Sequence, residues 1–190
     1  MALTKLNYTG QGTIPIASIP TITGTKMPAG SVIQTKQVVQ NEAFNLAPSG
    51  SNLTDITGMS VDITPSSTSS KILISYVINA GYHTNYNGLS FYLCKGSTPI
   101  TEAIGSTTNL GSRHSCTTST GRAFNVSHMT VETFTFLDSP STTSSLTYSL
   151  KIKDINGDGG QTRFNASSQD TDANYSPRGS SSITVQEIAG

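Results

Sequence analysis

The sequence predicts an all-β protein: an antiparallel β-sandwich, jelly-roll-like, with an extended N-terminal arm. Three observations predict it. Apolar and polar side chains alternate with a period of two in Gly58–Thr64 and Ser145–Lys153, the signature of a strand with one buried face. Ser and Thr make up about 30% of the 190 residues, a composition that suits exposed sheet faces and tight turns. No window supports a helix beyond one or two turns.

The first 30 residues read as a segment of their own. Pro15, Pro20 and Pro28 break any long ladder, and Gly10, Gly12, Gly24 and Gly30 loosen it. Ile14, Ile16, Ile19 and Ile22 are spaced as in extended chain laid on a surface. The expectation is an arm over residues 1–30 that docks on its own domain or on a neighbour, followed by a head over residues 31–190.

Strand signals recur through the head. Ser31–Val39 is a strand, with Val32 and Val38 among its apolar positions. In Gly58–Thr64, Met59, Val61 and Ile63 point one way and Ser60 and Asp62 the other. Pro65–Ser70 is a Ser/Thr turn. Lys71–Ala80 places Ile72, Ile74, Tyr76 and Ile78 on one face and Leu73 and Val77 on the other, which predicts a central strand buried on both sides. Gly81–Gly88 is a loop, and Leu89–Lys95 follows with Leu89, Phe91 and Leu93 inward.

Pro99–Ile104 is a short strand or turn, and Gly105–Gly121 is polar and irregular. Phe124–Leu137 is a long strand region with Phe134 and Phe136 on one face and Val131 and Leu137 on the other. Ser145–Lys153 turns Leu146, Tyr148, Leu150 and Ile152 inward. Gln161–Phe164 pairs back across a tight loop, Ser167–Ser181 is a polar loop, and Ser182–Ile188 is the last strand. About eight short strands separated by turn chemistry point to a sandwich, and the lack of a fixed repeat disfavours propellers and solenoids.

Charge excludes some functions. Lys plus Arg and Asp plus Glu are each 11, so the formal net charge is zero, and charged residues are only 12%. The basic residues are scattered from Lys5 to Arg178, without the clustered patch that nucleic-acid binding needs. The longest apolar stretch, within Lys71–Ala80, is far short of a membrane span. No apolar stretch of a secretion signal follows Met1–Leu6, so the chain is expected to be made and kept in a cytoplasm, or assembled there into something larger. In such a compartment Cys94 and Cys116 are expected as free thiols, Cys94 as small core filler, with a Cys94–Cys116 bridge as the alternative. The sequons at Asn7, Asn52, Asn125 and Asn165 occur at the frequency chance gives and carry no information.

Several stretches resemble a known group. Met1–Leu6 resembles the start of many tail-fibre-like proteins of bacteriophages. Pro28–Gln34, Gly58–Ile74, Leu93–Ile100 and Ile183–Gly190 resemble segments of small virion proteins of marine bacteriophages, with Gly58–Ile74 the most specific of them. The resemblance implies a β-sandwich component of the virion, commonly trimeric, of the tail-fibre or capsid-decoration kind. The low charge, the all-β pattern and the arm agree with that implication independently, since an extended arm can dock on a neighbour by strand addition or in a groove.

Three residue clusters are candidate sites. Asp154, Asn156 and Asp158 fit D-x-N-x-D-G, whose oxygens can converge on Ca²⁺. Asn165 stands where that loop would need a bidentate Glu, and the same residues also make a hairpin turn. Tyr82, His83, Asn85 and Tyr86 form an aromatic and amide cluster suited to a host surface glycan, or to a plain solvated or interface loop. His83, His114, Cys116 and His128 have no zinc-ligand spacing. Catalytic motifs such as G-x-S-x-G and H-E-x-x-H do not occur, and Glu132 and Asp138 are not an evident glycosidase pair.

The sequence therefore predicts a non-enzymatic virion structural protein. It is a tail fibre or other exposed appendage subunit, anchored to neighbouring capsid or tail proteins by residues 1–30 and forming a homotrimer. A capsid decoration (cement) protein and a carbohydrate-binding host-recognition module are the alternatives. No cofactor is expected, with calcium at Asp154, Asn156 and Asp158 as the alternative to a plain turn, and no nucleic acid or membrane insertion is expected.

Overall fold

A computed structural model describes residues 27–48, 52–81, 88–120, 128–154 and 161–190. Among these residues eleven strands run in the order β1 (Val32–Gln40), β2 (Phe44–Leu46), β3 (Thr54–Ile63), β4 (Lys71–Gly81), β5 (Leu89–Lys95), β6 (Thr98–Pro99), β7 (Thr118–Ser119), β8 (Met129–Asp138), β9 (Leu146–Asp154), β10 (Thr162–Phe164) and β11 (Ser181–Ile188). A 3₁₀ turn, Thr101–Ala103, follows β6. Among the described residues there is no α-helix.

The pairings are nested. β1 pairs β11, β3 pairs β9, β4 pairs β8 and β5 pairs β7, all antiparallel. One long hairpin of four strand pairs is thus rolled up, and the roll is closed by β11 on β4 and β9 on β5. The result is two sheets with cores ordered β1-β11-β4-β8 and β3-β9-β5-β7, the double-sheet arrangement of a jelly roll. The predicted sandwich and its jelly-roll form are both present.

Alternation decides which side chains fill the space between the sheets. Ile72, Ile74, Tyr76 and Ile78 of β4 face Met59, Val61 and Ile63 of β3 and Tyr148, Leu150 and Ile152 of β9 across one continuous core. Ile183 and Val185 of β11 and Leu89, Phe91 and Leu93 of β5 complete it. These are the inward positions that the period-two pattern picks out.

Three local expectations need correction. β4 is central, with β11 on one side and β8 on the other, but it is not buried on both faces. Leu73 is half-buried and Val77 is 38% exposed. β5 is covered on both faces: Ser90, Tyr92 and Cys94 are buried, as are the core residues between them. The third correction concerns β10, which does not fold back on β9. Arg163 pairs with Asn45 of β2 and Phe164 with Ala80 of β4, and the Phe44 and Phe164 rings stack at 5.1 Å. In β1, Val32 lies outward and is 48% exposed, while Val38 packs against the core.

Pro28–Gly30 already belongs to the head's hydrogen bonding. Ser31 N–H donates to Pro28 O at 3.1 Å, Gly30 N–H to Ala189 O at 2.7 Å, and Ala189 N–H to Ser31 O at 2.8 Å. Gly30 has φ +86°, a backbone conformation that suits glycine at this turn. Residues 1–26 of the predicted arm lie outside the described residues.

Candidate functional site

Tyr82, His83, Asn85 and Tyr86 lie outside the described residues, as do Asn156 and Asp158. Asp154 is the last residue of β9. It shares the inward face with Tyr148, Leu150 and Ile152, opposite Leu89, and is 1% exposed. His114 and His128 are exposed, Cys116 is half-buried, and among the described residues no group of three His, Cys, Asp or Glu side chains is placed to hold a metal.

Cys94 and Cys116 are both free thiols, so the bridge is not made. Burial pushes the Cys94 thiol up to about 11. Glu132 and Asp138 do not form a pair. Asp138 Oδ2 accepts from Lys95 Nζ at 2.8 Å and from the Tyr148 hydroxyl at 2.6 Å. Burial raises the Tyr148 phenol far above its ordinary range, and the Asp138 hydrogen bond and charge raise it further. Burial also raises the Glu132 carboxyl.

The polar centre that sequence reading missed is Glu187. Alternation along β11 places it inward with Ile183, Val185 and Ala189, and it is fully buried. Its carboxylate is held by four neutral donors. Ser66 N–H, Ser66 Oγ–H and Ser70 Oγ–H reach Oε1 at 2.6, 2.7 and 2.6 Å, and Gln34 Nε2 reaches Oε2 at 2.6 Å. Burial by itself raises this carboxyl, but the hydrogen bonds from Ser70, Gln34 and Ser66 outweigh it and hold the group below its ordinary value. Chemically this is a charge-assisted clamp. It ties β11 to the turn before β4 and to β1, and it presents no open position to a ligand.

The two sheets differ in their outward faces. On the β3-β9-β5 sheet, Lys151 Nζ pairs with Asp55 Oδ1 at 2.7 Å, and Thr147 Oγ1 donates to Asp62 Oδ1 at 2.5 Å. The chain after Ala103 crosses part of that face: the Tyr92 hydroxyl donates to Ser115 O at 2.9 Å, and Thr117 N–H donates to Phe91 O at 2.9 Å. On the β1-β11-β4-β8 sheet, register puts Val39, Ser182, Val77 and Thr133 in one row and Thr35, Gln186, Leu73 and Leu137 in another. None of these outward residues is buried. Five of the six large hydrophobic side chains exposed among the described residues stand here: Val32, Val39, Val77, Val131 and Leu137.

No family model matches the chain, and no curated protein matches its sequence. Among solved structures the chain is similar to the crystal structure of the infectious bursal disease virus VP2 subviral particle. The TM-score is 0.37 at 11% identity, covering 82% of this chain and 38% of that one. The chain thus spans well under half the length of that neighbour, and a likeness of this size carries no argument about role.

Proposed function

We propose that the chain is a non-enzymatic structural subunit of a virus particle, a bacteriophage tail fibre or similar exposed appendage present as a homotrimer. Residues 1–30 anchor it to neighbouring virion proteins and the jelly roll is the projecting head. One observation carries the reading beyond the resemblance itself. Two of the resembling stretches, far apart in sequence, are built as one unit: Ser66 and Ser70 of Gly58–Ile74 hold the carboxylate of Glu187 in Ile183–Gly190. Segments that clamp each other are parts of one folded unit in this chain, not separate short stretches.

The jelly roll adds support by analogy, since that architecture serves viral capsid domains as well as lectins and cupins. A cupin-like use needs ligands aimed between the sheets, where this chain packs Met59, Phe91, Tyr148 and Leu150. The test is incorporation into particles. Deleting residues 1–26, which stops short of the Pro28–Gly30 turn, should leave a folded head that no longer incorporates. A truncated head that incorporates as well as the full chain would remove the anchoring role.

A further inference from the structure

We propose that the outward face of the β1-β11-β4-β8 sheet is the surface on which further copies of this chain seat. The inference deepens the oligomeric part of the reading above and rests on it. Its starting point is the sidedness just described: exposed apolar side chains gather on one face of one sheet. The outward face of a solvated antiparallel sheet normally alternates polar and charged residues against the buried ones. Here the outward positions are Thr, Ser, Gln, Asn, Val, Leu, Ile and Met, and Lys71, at one end, is the one charge among them.

Charge selects the occupant. A face whose one charge is Lys71 at its end offers little complement to a charged protein, to nucleic acid or to an anionic surface. Its best complement is another uncharged sheet face of mixed Thr and Val, and a second copy supplies one. The formal net charge of zero leaves no long-range repulsion between copies. The area fits as well. Four strands at about 4.8 Å spacing and ten residues at about 3.3 Å each give roughly 600 Å² on one copy, most of the ~800 Å² per partner in a standard interface.

The sheet's edges are less suited to assembly than its face. β8 and β1 are the edge strands, and each carries a charge on the inward side, half-buried Glu132 on β8 and exposed Lys36 on β1. Such charges oppose strand addition and leave the flat face as the contact.

The test is sedimentation of the full chain at micromolar concentration, with Val77→Glu and Val131→Glu as variants and Ser60→Glu, on the other sheet, as control. The expected result is an oligomer for the unaltered chain and the control, and monomers for both variants with unchanged circular dichroism. Val131 is 58% exposed on an edge strand, so its variant folds even where Val77→Glu does not. Oligomers that persist in a folded Val131→Glu variant overturn this face while leaving the oligomer intact. A monomeric unaltered chain overturns both the face and the oligomeric reading. A monomer in which Val131→Glu makes residues 1–26 newly sensitive to protease assigns the face to that segment and likewise overturns the proposal.

Discussion

The Ser70 hydroxyl donates to Glu187 Oε1 at 2.6 Å, joining residues 117 positions apart inside the sandwich. Both residues are buried, so neither can exchange this bond for water. Removing one partner leaves a buried carboxylate short of a donor. Ser70→Ala should lower stability by about 1–3 kcal/mol, the cost of an unsatisfied buried group. Urea unfolding of the variant checks it, and an unchanged midpoint would mean the clamp is replaceable.

The same clamp sets an acid limit. The folded Glu187 carboxyl is held below its ordinary value, so the unfolded chain takes up the proton first as pH falls. Its contribution is complete above the ordinary carboxylate value of about 4.3 and is lost as pH drops through the folded value. Glu132, raised by burial, acts in the opposite sense. Glu187→Gln should therefore be less stable at neutral pH and should lose stability less steeply below about pH 4. Parallel acid-dependent slopes for the two proteins would assign the acid limit to other groups.

The two faces of β4 make a paired test. Ile74 is fully buried, and Ile74→Ala should cost about 2–5 kcal/mol. Val77, 38% exposed, should tolerate Thr within about 0.5 kcal/mol, because the swap keeps the β-branch and removes little buried surface. Equal losses at the two positions would contradict the sidedness of this sheet.

Thiol chemistry separates the cysteines. Cys94 is buried and its thiol is pushed up to about 11, while Cys116 is half-buried. At neutral pH a thiolate-selective reagent should modify Cys116 first in the folded protein and both only on unfolding. Mass spectrometry of the labelled protein reads the order directly, and an absence of reactive thiol after unfolding would indicate a bridge.

The core was legible because its chemistry is periodic. Met59, Val61 and Ile63, and Leu146 to Ile152, alternate cleanly enough to give face and strand together. Leu73 and Val77 misled because an apolar residue on the second face of a strand reads as buried, whether a second layer of this chain or only solvent lies above it. β2, β7 and β10 are two or three residues long, too short to display a period, so their pairing depends on neighbours distant in sequence. Glu187 could have been found: Ile183, Val185 and Ala189 fix the inward side of β11, and the one carboxylate in that series stands out. Tyr82–Tyr86, Asn156 and Asp158 lie outside the described residues, and Asp154 is placed by the inward alternation of β9.

The central claim is that this chain is a building block of a particle. Labelling intact, purified particles with antibody against the head tests it most directly. The account predicts label at one recurring position on every particle, lost when residues 1–26 are deleted while the head remains folded in the lysate. Particles that carry none of the chain, with all of it free in solution, would contradict the account.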